Sequence, residues 1–482
     1  MFLKKKSNII FREYDSFGYI TDNRNFGYKK TNANERYIGD KILSKSGAIF
    51  FSVLNIKPQP FDEIVEKIIN KFTGADADII KNDSEEFYSM LEIDGFIVSG
   101  KTPHECEEKD KGFSYKDVEQ EKVGKILSPT IAYPEKSTQN FLEEHFGGKP
   151  QLTSLHIEIT SKCNERCIHC YIPHEYKINN ISPVLFYDIL EQCKKMKVLH
   201  LTLSGGEPML HKNFCDFLKA CREGEFSVNI LSNLTFLNSE ILKEMKSNPL
   251  LGVQVSLYSM NPDIHDEITK RKGSFEKTKR AILNLIENDI PLQISCPIMK
   301  QNKNYYNDVV EWADKYNIHA GSDYVIIAKY NNSINNLNCR LSINEVKEVI
   351  SYKLKHNPDY IKKTEAENNI MESDSVCSVC NSSICIADNG NVYPCAGWQN
   401  YIVGNVKDDT LSDIWYKSDK IRYLRGIRKH DFPKCVQCSD KDYCTMCMVR
   451  NANENPHGDP LSINEYYCDI AKANKEIALN KK

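Results

Sequence analysis

The sequence predicts an α/β protein built around parallel strands, with a metal-rich module at its C-terminal end. Three observations carry this reading. Between about Thr153 and Ile350, short β-type runs alternate with helical patterns, as expected of parallel strands joined by helical crossovers. The chemistry-bearing motifs of that stretch fall just after strands, where ligands gather in such folds. Beyond residue 370 the chain places nine of its eighteen cysteines, far more densely than elsewhere.

Taken in order, the first hundred residues follow a pattern of their own. Residues 9–11 and 19–21 form a candidate hairpin, and residues 47–54 a buried helix. A proline-led helix carries Phe61, Ile64, Val65, Ile68, Ile69 and Phe72 at helical spacing. A third helix, with Phe87, Met90 and Leu91, stops at Asp94-Gly95 before a strand at 96–98. Residues 101–150 are charged, with scattered Pro, Gly and Ser, and read as a linker holding a short docked helix at 141–146. The alternating region then gives strands at 155–159, 198–203, 228–231, 253–257, 292–294 and 324–327. Helices are expected over 183–195, with Leu185, Ile189, Leu190 and Cys193 on one stripe, and over 275–287. Periodicity alone does not separate a barrel from an open sheet.

Cys163, Cys167 and Cys170, in TSKCNERCIHCY, follow the first of these strands at C-x3-C-x2-C spacing. Three thiolates so spaced fit one face of an iron–sulfur cube and leave its fourth iron open to a substrate. Structural zinc, the alternative, takes four ligands and usually pairs two C-x2-C knuckles. This segment offers three cysteines, with His169 between two of them and His174 just beyond. The strand at 198–203 runs into Ser204-Gly205-Gly206-Glu207-Pro208. Paired glycines let the backbone approach a ligand closely, and the acid supplies a carboxylate for an ammonium group. Later strands lead into Ser232-Asn233 and, past Ser256, into Tyr258. Singly, Ser232 and Ser256 are ordinary strand-end hydrogen-bonding residues.

The triplet, the GGEP segment and the ordered strand tips together resemble the radical S-adenosylmethionine (radical SAM) superfamily. The resemblance implies a partial (β/α)6 barrel over residues 151–350. It implies a [4Fe–4S] cluster on Cys163, Cys167 and Cys170, whose open iron is chelated by the methionine amino and carboxylate groups of S-adenosylmethionine. Cofactor contacts are implied for His169, Gly205, Gly206, Glu207, Ser232, Asn233 and Ser256. The chemistry implied is reductive cleavage to methionine and a 5′-deoxyadenosyl radical, which takes a hydrogen from an unactivated carbon. An electron donor such as flavodoxin or ferredoxin is expected.

The C-terminal cysteines resemble the SPASM domain, placed over residues 351–482. Cys380-x9-Gly390-x4-Cys395 and Cys435-x2-Cys438-x5-Cys444 fit its pattern, while the gap to Cys447 is one residue short. The resemblance implies two auxiliary [4Fe–4S] clusters, one on Cys377, Cys380, Cys395 and Cys447, the other on Cys435, Cys438, Cys444 and Cys468. That makes three clusters in all. Cys385 competes with Cys377, and is otherwise a buried structural thiol in an apolar run. Two clusters would staple a module too small for a hydrophobic core of its own. Zinc ribbons are the alternative for this field. Cys106, Cys193, Cys215, Cys221, Cys296 and Cys339 read as core.

The hairpin, three helices and returning strand of residues 1–100 resemble the RiPP recognition element (RiPP: ribosomally synthesised and post-translationally modified peptide). That winged-helix-like domain takes a precursor's leader as an added strand on the hairpin edge. A nucleic-acid-binding winged helix or a structural cap is the alternative, and no arginine-rich recognition helix is present. The formal charge of −3 and pI near 6.5 give no basic field for nucleic acid. No apolar run suits a membrane span or a signal-peptide core. Metal ligation in a reducing cytoplasm is therefore expected of the cysteines. Together the parts resemble a radical SAM maturase of a ribosomal precursor peptide. The expected product is a thioether from a cysteine sulfur to a carbon of another residue. The alternatives are a carbon–carbon cross-link, an epimerised residue, sulfatase-maturase-type oxidation, or a non-catalytic zinc scaffold. His265, Asp266 and Lys270-Arg271-Lys272, after the fourth barrel strand, either face the substrate or form a solvated loop.

Overall fold

The structure, a computed structural model, describes residues 1–23, 39–72, 74, 76–116, 142, 144–356, 360, 375–377 and 379–479. The N-terminal unit contains strands β1 (Phe2–Lys5), β2 (Ile10–Glu13), β3 (Gly18–Thr21), β4 (Asp40–Leu43), β5 (Gln59–Pro60) and β6 (Ile97–Gly100). The expected hairpin is β2–β3, but β4 pairs with β3, so the sheet has three strands in the order β2-β3-β4. A second small sheet, β5-β1-β6, also eludes the sequence reading, because its outer members pair residues some sixty and a hundred positions from β1. Helices at Lys45–Ser52, Phe61–Ile69 and Ala77–Ile93 enclose a core that includes Phe51, Ile64, Ile68 and Leu91. The third helix begins at Asp76, whose carboxylate accepts from the amides of Asp78 and Ile79.

The segment expected to be a linker starts with a helix, Pro103–Lys109. It buries Cys106 against β1 and β6, and Lys4 bridges Glu107 and Asp110 at 2.7 and 2.8 Å. Residues 117–141 and 143 lie outside the described residues, and with them much of the helix expected at 141–146. Leu142 and Phe146 pack beside Tyr14 and Phe17.

Six parallel strands follow: β7 (Ser154–Thr160), β8 (His200–Gly205), β9 (Ser227–Ser232), β10 (Leu251–Ser256), β11 (Leu292–Ser295) and β12 (His319–Gly321). Their alternation has a direct cause. Leu155, Ile157 and Ile159 of β7 turn towards helices such as Pro183–Lys195, in one core with Phe186 and Ile189. The opposite face is polar: register pairs His156 with Thr202, Glu158 with Ser204, Gln254 with Gln293 and Ser256 with Ser295. The concave side is thus lined for a polar ligand.

The sixth strand is His319–Gly321, not the expected 324–327. Tyr324 and Ile326 are buried, but side chains take that segment's carbonyls: Tyr467 Oη and Arg340 donate to Ile326 O, and Asn336 Nδ2 to Ile327 O. With its acceptors engaged this way, the run has the apolar content of a strand without its ladder.

The C-terminal module continues the same sheet. Strand β13 (Ser383–Ile386) pairs in parallel with β7, and β14 (Asn391–Tyr393) and β15 (Gly404–Asn405) follow antiparallel, giving the order β12-β11-β10-β9-β8-β7-β13-β14-β15. The expectation that clusters replace a core here is corrected. Trp398, Trp415, Ile414 and Leu424 are buried in the core that also holds Phe186 and Leu218. By borrowing the barrel's core, the module escapes the area limit of a small domain.

The N-terminal unit docks on the loops entering the strands. Arg12 donates to Val198 O and Glu225 O at 3.1 and 2.9 Å and lies over the Phe226 ring, while Lys5 pairs with Glu225 at 2.6 Å. The motif loops leave the other ends of the strands. No helix among the described residues is long and apolar enough to cross a membrane.

Candidate iron–sulfur and cofactor site

The Cys163–Cys170 loop leaves the carboxyl end of β7 and is pinned from both sides. Ser161 N donates to Asp388 Oδ2 at 3.0 Å, and the amides of Arg166 and Ile168 donate to Thr269 O and Ile268 O at 3.0 Å. Cys167 feels the charges of both Cys170 and Cys163, which places the three thiols together. Burial pushes Cys163 up to about 11 and Cys167 well above the usual thiol value, so holding them as thiolates requires positive charge. Some is provided by Lys177, which sequence reasoning missed because a lone lysine carries no motif. Burial lowers its pKa, yet the three thiols and a hydrogen bond to Cys170 outweigh this and hold it raised.

Gly205 and Gly206 bring the next loop against this one. Gly205 has φ +130°, and a Cβ there would stand 1.8 Å from Thr160 O; at Gly206 it would stand 2.2 Å from Lys162 O. The space they spare is filled by backbone bonds, Gly206 N to Thr160 O at 2.7 Å and Glu207 N to Lys162 O at 2.8 Å. The close approach that demands glycine is therefore to the backbone leading into Cys163.

Glu207 is 0 % exposed. Its Oε1 accepts from Ser232 Oγ at 2.7 Å and Met209 N at 3.1 Å, and its Oε2 from Asn233 N at 2.8 Å. Burial raises its pKa to about 7 against these bonds. The carboxylate therefore ties β8 to the tip of β9, work that its sequence position did not disclose. Asn233 Nδ2 reaches Asn164 Oδ1 at 3.1 Å, joining that tip to the cysteine loop. His169 meets Tyr258 edge-on, with ring centres 5.1 Å apart and Nε2 3.4 Å from the phenol. Tyr258 also bonds Ser256. Glu165, another residue missed from sequence, is 3 % exposed; its Oε2 accepts from Cys167 Sγ at 3.5 Å. Burial, and then the charge of Glu207, raise its pKa to about 7. Glu165 Oε1 and His169 Nδ1 are buried without a hydrogen-bond partner among the described residues.

The two remaining groups of cysteines assemble from distant segments. Cys377 is pushed up to about 11 by burial first and then by Cys447 and Cys395; Cys380, in a left-handed turn at φ 59°, feels Cys377 and Cys395. Cys444 is pushed up to about 11 by burial and then by Cys468 and Cys435, and Cys468 also feels Cys438. Cys447 lies with the first group in spite of its short gap. Cys385, on β13, lies opposite His156 in the ladder; burial, then Glu158 and then Cys395 raise its pKa. His265 and Asp266 make local bonds, though His265 Nε2 is buried with no hydrogen-bond partner among the described residues. His265 is buried and accepts from Tyr258 N through Nδ1, while Asp266 accepts from Phe275 N, Ser274 Oγ and Gly273 N and closes the 270–275 loop.

Residues 157–313 match the radical SAM superfamily, and residues 377–447 match the iron–sulfur cluster-binding SPASM domain. The chain therefore carries a radical SAM domain followed by a SPASM domain, which indicate iron–sulfur clusters and S-adenosylmethionine as cofactors. It is 27% identical over 324 residues to the tungsten-containing aldehyde ferredoxin oxidoreductase cofactor-modifying protein of Pyrococcus furiosus, covering 60% of this chain and 88% of that one. It is 24% identical over 327 residues to the antilisterial bacteriocin subtilosin biosynthesis protein AlbA of Bacillus subtilis, covering 62% and 68%. The fold matches that of Streptococcus suis SuiB, solved bound to its precursor peptide SuiA, with a TM-score of 0.60 at 16% identity over 97% of this chain and 99% of that one. The residues present fit the cofactors. Three half-buried thiols beside a lysine suit a cluster, and two buried carboxylates with an orphaned oxygen suit a cation bearing ammonium and sulfonium charge.

Proposed function

We propose that this radical SAM enzyme modifies a ribosomally made precursor peptide, joining a cysteine sulfur to a carbon of another residue as a thioether. The observation that carries the peptide reading is in the N-terminal unit. There β4 ends its sheet among the described residues and borders a groove of about 530 Å³ lined by Leu43, Phe50, Phe72, Ile79, Phe87 and Met90. An extended leader can add to a strand edge by main-chain bonds while alternate side chains enter such a groove. The edge concerned is that of β4, which covers one side of the hairpin expected to offer it. The likeness of almost the whole chain to a fold solved with a precursor peptide, and the identity to a bacteriocin biosynthesis protein, support the same reading.

In this proposal Cys163, Cys167 and Cys170 hold the cofactor-binding cluster. Cys377, Cys380, Cys395 and Cys447 hold one auxiliary cluster, and Cys435, Cys438, Cys444 and Cys468 the other. When bound, the clusters and S-adenosylmethionine supply one-electron chemistry that removes hydrogen from an unactivated carbon. The chain's own residues bind and orient. Glu207 and Glu165 present negative charge to the cofactor's cationic groups, and His169, Ser232, Asn233 and Ser256, with Gly205 and Gly206, shape its seat. The polar concave face, with His156, Thr202, Ser204 and Gln254, receives the peptide core. The electron donor is of the flavodoxin or ferredoxin kind, and the compartment is the reducing cytoplasm.

Co-expression with a cysteine-bearing precursor, read by tandem mass spectrometry and thiol alkylation, tests the proposal. Each thioether removes two hydrogens, so every ring lowers the precursor mass by about 2 Da and hides one thiol. The same loss with every thiol still alkylatable means a carbon–carbon link. Unchanged mass with deuterium uptake means epimerisation.

A further inference from the structure

One group of metal-ligating side chains, two buried and the third, His156, half-buried with its Nε2 bonded to Ser204 Oγ, lies outside every cysteine set above. His156 and Glu158 stand two residues apart on β7 and so share its concave face; Cys385 on β13 is the direct ladder partner of His156. One ligand atom from each, an imidazole nitrogen, a carboxylate oxygen and a thiol sulfur, lie within 4.8 Å of one another. Cys385 is 0 % exposed and Glu158 4 %.

The carboxylate is incompletely satisfied. Gln399 Nε2 donates to Glu158 Oε2 at 2.6 Å, while Oε1 is buried with no hydrogen-bond partner among the described residues. Protonation does not repair this, because a proton on Oε1 would need an acceptor there and a proton on Oε2 leaves Oε1 as an orphan acceptor. Leaving such a group unpaired costs about 1–3 kcal/mol, so a ligand at Oε1 is the simplest resolution.

We propose that His156, Glu158 and Cys385 bind one divalent zinc ion, a mononuclear site separate from the iron–sulfur clusters. Imidazole, carboxylate and thiolate are all zinc donors, and three protein ligands leave a fourth position for water or a substrate atom. On binding, the thiol and the carboxyl group are both in their deprotonated forms, so their two negative charges balance the ion's two positive ones. The site neighbours Tyr171, which feels the charges of Glu158 and Cys385 and also those of Cys170 and Cys395. Cys385 thereby gains a role distinct from that of Cys377. The inference does not depend on the peptide or product assigned above.

The test uses the full-length protein with its clusters loaded, expressed with zinc in the medium. Element analysis should find about one zinc per chain in addition to the cluster iron. Zinc K-edge absorption should show one sulfur at about 2.3 Å and nitrogen or oxygen neighbours at about 2.0–2.2 Å. Cys385→Ser and His156→Ala should each lose the zinc while leaving the iron content unchanged. Less than about a tenth of a zinc per chain in the native protein, with or without extra iron, overturns the proposal. So does zinc retained in Cys385→Ser, or an all-sulfur shell, which would place the metal among the cluster cysteines. Because the absorption edge is read on the native protein, the proposal is tested even if a variant fails to fold.

Discussion

Replacing Glu207 by Gln keeps the shape of the side chain and removes its charge, which separates its two proposed tasks. The carboxylate receives three hydrogen bonds, two on Oε1 and one on Oε2. An amide has one oxygen, so in one orientation its NH2 faces the amide of Asn233, and in the other that of Met209. Either way a buried backbone N–H loses its acceptor, at about 1–3 kcal/mol, and the surviving bonds lose the strength that charge gave them. A total near 2 kcal/mol should lower the Tm of the barrel by roughly 4–8 °C. Loss of the ammonium's counter-charge should weaken S-adenosylmethionine binding about tenfold, or ~1.4 kcal/mol. Burial raises Glu207 to about 7 before the cofactor binds, and a bound cation favours its ionised form. Below pH 7 binding must expel protons, so native affinity should fall as pH falls and level off above it; the Gln variant should lose the share of this dependence due to Glu207 and keep the shallower one due to Glu165, which burial also raises to about 7. Anaerobic calorimetric titration from pH 6 to 8, with thermal melts, reads both effects. An unchanged affinity and pH profile would remove the Glu207 carboxylate from the cofactor, and an unchanged Tm would refute the lost-bond argument.

Three further outcomes are expected. Replacing Cys163, Cys167 and Cys170 together by Ala should remove about a third of roughly twelve irons per chain and abolish 5′-deoxyadenosine formation; persistent cofactor cleavage would show that the catalytic cluster lies elsewhere. Gly206→Ala places a Cβ 2.2 Å from Lys162 O, and because the obstacle is backbone the cost should reach about 3 kcal/mol, seen as a lower Tm and poor loading of the neighbouring cluster in an iron assay. Ile79 and Met90, 61% and 37% exposed at the groove, can change without disturbing the core, so Ile79→Glu with Met90→Glu should shift stability by no more than about 1 kcal/mol. The same pair should weaken leader-peptide binding by fluorescence anisotropy about tenfold or more while sparing cofactor cleavage without peptide, and undiminished leader affinity would move the binding site elsewhere.

Local spacing made much of this protein legible. Parallel strands whose outer residues meet helices and whose inner residues meet a polar cavity must alternate, so β7 to β11 could be read within a few residues from sequence. Helix Pro183–Lys195 was legible from its apolar stripe, and the cysteine triplet and GGEP segment from chemistry tied to short fixed spacing. What escaped depends on residues far apart in the chain. The run at 324–327 looks like a strand until Tyr467, Arg340 and Asn336 take its carbonyls, and nothing within the run itself signals that competition. The core shared by Trp415 and Phe186 arises only because β13 extends the barrel sheet beside β7, a pairing across more than two hundred residues. Lys177 and Glu165 are ordinary charged residues in sequence and become part of the site through burial beside the thiols. Cys385 meets His156 and Glu158 by the same β7–β13 pairing. Periodicity records which face of an element is apolar; which distant element covers that face, and which polar groups are enclosed with it, is settled only when the whole chain packs.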